Sequence, residues 1–232
     1  MSATRETFLA KYCPSSFQDL VKPKDRDFSA IEDFLETPYL SHWLLHGNLG
    51  LGKSTTAFLM AQRVAGNTDH GSARSLSGNE INAGVLKEIQ ITDQYLPRGL
   101  FHVVVVDEAD TIPGFFRTSL LKMTDPKDLN APRNTIWIFT SNEEPEKALG
   151  EKLSSRVNRV RFSSQGIAEP AARWLMKIAS LEGFNLPEAA AKNLVKETQN
   201  NLREALILLQ RKCVKGKLAR IDAESFAMQE AA

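Results

Sequence analysis

Hydrophobic positions along this chain follow two regimes. Up to about residue 163, short runs that are apolar at nearly every position alternate with stretches that are apolar at every third or fourth. The unbroken runs are His42–Leu45, Phe101–Val106 with four consecutive valines, and Thr135–Thr140. A strand without polar alternation is buried on both faces, as in the middle of a parallel sheet. A short strand is expected near Ala73–Leu76. Around Leu153–Phe162, Arg156, Arg159 and Arg161 alternate with other residues, which predicts a basic edge strand. Helical spacing predicts helices over Lys24–Leu35, Lys53–Val64, Asn82–Gln90 and Gly114–Met123, with a short one after residue 143.

From Gln165 onward the strand signal stops. Glu169–Leu181, Pro187–Thr198 and Asn201–Lys212 read as three helices, with Gly183 closing the first and Asn200 or Asn201 opening the last. The N-terminal residues 1–21 read as an irregular arm with aromatic anchors, extended before Pro14. The expectation is an α/β fold, a parallel-sheet nucleotide-binding domain followed by a small helical lid domain. Its boundaries are 1–163 for the core with its arm, 164–215 for the lid and 216–232 for a short tail.

Composition adds limits. The 232 residues are 42% hydrophobic and 25% charged, with a net charge of +1, so total charge says nothing about nucleic acid. Cys13 and Cys213 lie too far apart for a metal-ligand spacing. With no apolar run long enough to span a bilayer and no apolar leader core, a reduced, cytoplasmic protein with two structural thiols is expected.

The chemistry concentrates at strand ends. Gly47-Asn48-Leu49-Gly50-Leu51-Gly52-Lys53-Ser54-Thr55 lies between a strand and a helix. Glycines let backbone N–H groups curl around a phosphate chain, and the helix N-terminus favours the anion. Lys53 can reach the β- and γ-phosphates, and Ser54 can hold Mg2+. This pattern predicts a nucleotide's phosphates and Mg2+ as ligands. Asp107 and Glu108 end the valine strand, where ligands bind in open α/β sheets. Asp107 suits the metal through water, and Glu108 suits the attacking water. Asn142 ends the next strand and could position that water from the other side. Arg156 belongs either to a solvated edge or to a neighbouring subunit's phosphates. Arg203 falls in the first turn of a helix, where a cation asks for an anionic partner, either a γ-phosphate or a nearby Glu.

Taken together, this ordered set resembles the AAA+ ATPases, and within them clamp-loader subunits of the replication factor C small-subunit type, to about residue 215. Gly47–Ser54 resembles Walker A, Asp107-Glu108-Ala109-Asp110 Walker B, Asn142 sensor 1, and Asn201-Leu202-Arg203-Glu204-Ala205 sensor 2. Ser155-Arg156 resembles the Ser-Arg-Cys finger motif, with Val157 in place of its cysteine and a spacing from Asn142 about two residues longer. Lys11-Tyr12-Cys13-Pro14 resembles the arm that packs near the adenine, with Cys13 in place of its arginine, so Tyr12 and Pro14 are implied adenine contacts.

The resemblance implies that the nucleotide is ATP, and a DNA-stimulated ATPase working with other AAA+ subunits, a sliding clamp and primed double-stranded DNA at a replication fork or nucleoid. Arg156 would act in trans on a neighbour's ATP. It also implies DNA or clamp contact by Lys87, by Gln94-Tyr95-Leu96 and by Lys122, with Ser75 as a polar switch partner. The family's helical collar is expected to be lacking.

Other readings are a helicase loader, initiator, branch-migration motor or transposition regulator, and a module that holds nucleotide without turnover. Intact Lys53, Asp107, Glu108 and Asn142 oppose the last of these. A DEAD-box helicase would need a second motor domain, and a protein unfoldase an aromatic-Gly pore loop that Gly78–Asn82 does not provide.

Overall fold

The uninterrupted apolar runs become the middle of a parallel sheet. In the computed structural model, which describes residues 6–22, 28–66, 73–129, 131–216 and 218, the strands are β1 (Trp43–Gly47), β2 (Ala73–Ser77), β3 (His102–Asp107), β4 (Thr135–Ser141) and β5 (Asn158–Phe162). They form one sheet in the order β2-β3-β4-β1-β5, with every pairing parallel. The central strands β3, β4 and β1 are buried almost throughout, as their composition requires. Leu44, Val104, Val106, Trp137 and Phe139 point into one core with Leu86, Ile89, Leu120 and Leu149 from the helices on that face. Phe34, from the helix Ser29–Glu36, stacks at a tilt on Trp43 with ring centres 5.0 Å apart.

By the density of its contacts the chain divides into two compact units. One comprises residues 27–48 and 52–162. The other comprises residues 1–26, 49–51 and 163–232. The first unit holds the whole sheet. In the second, helices Ala168–Leu181, Glu188–Glu197 and Leu202–Val214 pack on each other. Asn201, not Asn200, caps the last helix: its Oδ1 accepts from the Arg203 and Glu204 N–H groups at 3.1 and 3.2 Å. Gly183 takes a left-handed turn (φ 76°) after the first of the three.

The arm differs from the irregular segment expected. Phe8–Lys11 forms a short helix capped by Thr7, and Phe17–Asp19 a 3-10 turn. Four residues are too few for helical periodicity to register in a sequence. The arm is fixed inside its own unit: the Phe8 N–H donates to Gln210 Oε1 at 3.1 Å, and Tyr12 Oη donates to Glu182 Oε1 at 2.6 Å. Of the expected helix Lys24–Leu35, residues 24–27 lie outside the described residues, as does the tail 216–232 apart from Gly216 and Leu218.

Candidate nucleotide site

The carboxyl ends of β1, β3 and β4 bring Lys53, Ser54, Asp107 and Asn142 together. Gly47 ends β1 at φ 120°, and a Cβ there would stand 2.3 Å from the Phe162 carbonyl oxygen, so only glycine lets the chain turn beside β5. The Asn48 N–H then donates to that same carbonyl at 2.8 Å. Lys53 opens the helix Lys53–Ala65 and is buried. Its ammonium donates to the Gly47 and Asn48 carbonyls at 2.8 and 2.7 Å and to Asn142 Oδ1 at 2.8 Å. The lysine thus ties the loop to the end of β4. Ser54 Oγ donates to Asp107 Oδ1 at 2.7 Å, so the hydroxyl and the carboxylate expected at the metal already meet. Two hard oxygen donors of this kind fit Mg2+, which takes the rest of its shell from phosphates and water. Glu108, which follows Asp107 in the chain, is exposed, and so is Asn142.

Glu108 has an unusual backbone. Its φ of 53° and ψ of 51° place it in the left-handed region, which costs a non-glycine residue on the order of 1–2 kcal/mol. The surroundings hold it there. Its carbonyl accepts from the Thr111 N–H at 2.9 Å and Thr111 Oγ1 at 2.8 Å, and its N–H donates to Thr140 Oγ1 at 3.3 Å. Gly78 packs against the same carbonyl so closely that a Cβ would lie 2.3 Å from it. Thr140 also donates to Asp107 Oδ1 through a short contact. Next to it, Ser141 Oγ donates to Asp110 Oδ1 at 2.6 Å. Sequence reasoning did not single out Thr140. The available signal was a pair of hydroxyl residues, Thr140 and Ser141, closing the apolar run of β4.

Leu49, Gly50 and Leu51 group with the helical unit, where the Leu202 N–H donates to the Gly50 carbonyl at 3.2 Å. Arg203 is exposed in the same unit, one residue on. Tyr12 and Pro14 line a cleft of about 520 Å³ with Trp174, Arg173 and Lys177. Burial, then the bonded Glu182 carboxylate, raise the Tyr12 phenol above its ordinary pKa. Cys213 is buried, and burial pushes its thiol up to about 11. Cys13 is exposed instead, so the expectation of two structural thiols holds only for Cys213.

Arg156 is not part of the edge strand, as the alternating arginines suggested. It sits in the turn before β5, and its guanidinium donates to the Leu121 carbonyl at 2.7 Å and pairs with Asp125 at 3.1 Å. Arg159 and Arg161 do lie on β5 and pair with Glu146 and Glu144 at 2.9 and 3.2 Å, exposed pairs that contribute little. Lys87 and Lys122 are exposed, and so is Gln94. Tyr95 and Leu96 are 72% and 86% exposed, and His102 Nε2 lies 3.0 Å from the Tyr95 carbonyl oxygen. Ser75 lies on β2 opposite Val105.

A phosphate loop between β1 and its helix, acids at the end of β3, an amide at the end of β4 and a helical unit after β5 define the class of AAA+ ATPases. No family model matches the chain. It is similar to the replication factor C small subunit of Thermofilum pendens, 27% identical over 213 residues that cover 89% of this chain and 62% of that protein. To human replication factor C subunit 5 it is also 27% identical, over 88% of this chain and 59% of that one. Its fold matches that of the Thermotoga maritima RuvB Holliday junction branch migration motor with a TM-score of 0.66 at 20% identity, over 94% of this chain and 71% of that one. Within the class, the chain is replication factor C small-subunit-like. It spans roughly three fifths of the length of these curated relatives.

Proposed function

We propose that this chain binds ATP with Mg2+ and hydrolyses it as one subunit of a clamp-loader-type assembly, coupling turnover to the placement of a sliding clamp on primed DNA. The observation that carries the reading is the bonded set Lys53–Asn142 and Ser54–Asp107 at one edge of the sheet. The named relatives, which align along about nine tenths of the chain, supply the clamp-loader context.

In this reading Lys53 leaves the loop carbonyls for the β- and γ-phosphates. The backbone of Gly47–Ser54 cradles the phosphate chain, and Thr55 continues the cradle into the helix. Ser54 and Asp107 would hold Mg2+, which would supply positive charge to the phosphate chain. Glu108 accepts a proton from the attacking water, and Asn142 orients that water. Arg203 supplies charge from the lid, and Tyr12 and Pro14 border the adenine. Lys87, Lys122 and the exposed Gln94-Tyr95-Leu96 segment are the surfaces for DNA and clamp.

The test is ATP turnover by the intact chain, alone and with candidate partner subunits, with and without primed DNA and clamp. Lys53→Ala should abolish tight ATP binding. Glu108→Gln should retain binding and lose turnover by at least about 100-fold. Undiminished turnover in Glu108→Gln removes the catalytic assignment, and turnover indifferent to DNA and clamp removes the clamp-loader assignment.

A further inference from the structure

We infer that Thr140 is a positioning residue that holds the metal-side and water-side acids in register, an inference that rests on the nucleotide reading above. Thr140 is 2% exposed near the end of β4, one residue beyond the paired Val106 and Phe139, which brings it beside Asp107 on β3. A hydroxyl has one hydrogen to give and two lone pairs to receive. Here the Glu108 N–H donates to the Thr140 oxygen, so that oxygen is an acceptor, and its own hydrogen goes to Asp107 Oδ1. One side chain is therefore bonded to the Asp107 carboxylate and to the Glu108 backbone N–H, in opposite senses.

Asp107 Oδ1 accepts two hydroxyls, from Ser54 and from Thr140. Ser54 belongs to the phosphate-loop helix and must turn toward a bound cation to serve it. Thr140 is fixed in the sheet and keeps the carboxylate aimed when Ser54 lets go. At Glu108 the left-handed backbone turns the N–H toward β4, where the Thr140 oxygen is its acceptor. β-branched residues are common strand fillers, and valine would pack at position 140 equally well. What valine cannot supply is either hydrogen bond. Groups that orient a metal's carboxylate ligand typically change affinity or activity by about 10–100-fold when lost.

The experiment compares the parent chain with Thr140→Val, which keeps the shape, and Thr140→Ser, which keeps the hydroxyl. It measures ATP turnover, ADP affinity in EDTA, the Mg2+ concentration that half-saturates nucleotide binding, and the thermal midpoint. Thr140→Val should lower turnover by about tenfold or more and raise the half-saturating Mg2+ severalfold, with ADP affinity in EDTA held within about twofold. Thr140→Ser should recover most of both losses.

The inference is overturned if Thr140→Val matches the parent in turnover and Mg2+ dependence, or if Thr140→Ser is as impaired as Thr140→Val. It is also overturned if ADP affinity in EDTA and the thermal midpoint fall in step with turnover, which is the signature of a packing role. A parent that binds nucleotide with Mg2+ but does not hydrolyse ATP removes the ATPase reading alone, because the Mg2+ dependence of ADP binding still reports on Thr140. A parent that binds no nucleotide overturns both.

Discussion

Single residues in this chain act through the groups they leave paired or bare. His42, just before β1, shows this for stability. Its Nδ1 accepts the Trp137 N–H at 3.3 Å, and its ring is held by the Thr124 backbone. Burial lowers its pKa from the ordinary 6.5 to about 4 despite that backbone bond. The folded chain therefore keeps His42 neutral, while the unfolded chain protonates it near pH 6.5. Its contribution to stability is complete above pH 6.5 and is lost as pH falls toward 4, amounting to about 2 kcal/mol by pH 5. Urea unfolding at pH 7 and pH 5 should show a drop that is smaller by that amount in His42→Asn, and an equal drop in both proteins would refute the assignment. That Lys53, Ser54, Asp107 and Asn142 would meet at the strand ends was legible from order and spacing, because each follows or ends a strand of one parallel sheet. Thr140 and the left-handed Glu108 were not, because a hydrogen bond across strands leaves no local pattern in a sequence.

Among the elements, the buried strands were the most legible, since burial on both faces demands the unbroken apolar runs of β1, β3 and β4. The arginines near β5 misled because alternation along a sequence does not say where a turn ends and a strand begins. Asn158, paired with Trp43, is the first strand residue, and Arg156 falls outside. Caps were partly legible: two adjacent asparagines competed, and the left-handed backbone of Asn200 (φ 65°) leaves Asn201 as the cap. Asn201 bonds two N–H groups with Oδ1, and its Nδ2 donates to Glu204 Oε1 at 3.1 Å. Asn201→Ala should destabilise the helix Leu202–Val214 by about 1 kcal/mol, and Asn201→Asp by much less, since aspartate caps as well as asparagine does. Hydrogen exchange at Arg203 and Glu204 is the direct check, and unchanged protection in Asn201→Ala would count against the cap.

For the whole molecule, strand order matters most, and it was the feature least available to sequence patterning, which finds strands but not their neighbours. In a parallel sheet all carboxyl ends lie on one edge. Lys53 and Asp107 follow or end β1 and β3 there, whereas Arg156 precedes β5 and lies at the opposite edge. A strand of five residues at about 3.3 Å each separates the two edges by roughly 16 Å. The Arg156 guanidinium, bonded to Asp125 and Leu121 at its own edge, is therefore badly placed to serve the phosphate loop of its own chain. It does border a cleft of about 800 Å³ with His42, Asp125 and Arg133. If Arg156 acts across an interface between chains, two inactive variants should complement each other. Glu108→Gln keeps the finger, and Arg156→Ala keeps the acid. In an equimolar head-to-tail assembly with random neighbours, about one interface in four combines an intact Glu108 with an intact Arg156. Turnover in the mixture should rise toward that fraction of the parent's, while each variant alone stays near its own background. If the two variants co-assemble, shown by crosslinking of differently tagged chains, and the mixture gains nothing, Arg156 is not a finger and its role is its bonds to Asp125 and the Leu121 carbonyl.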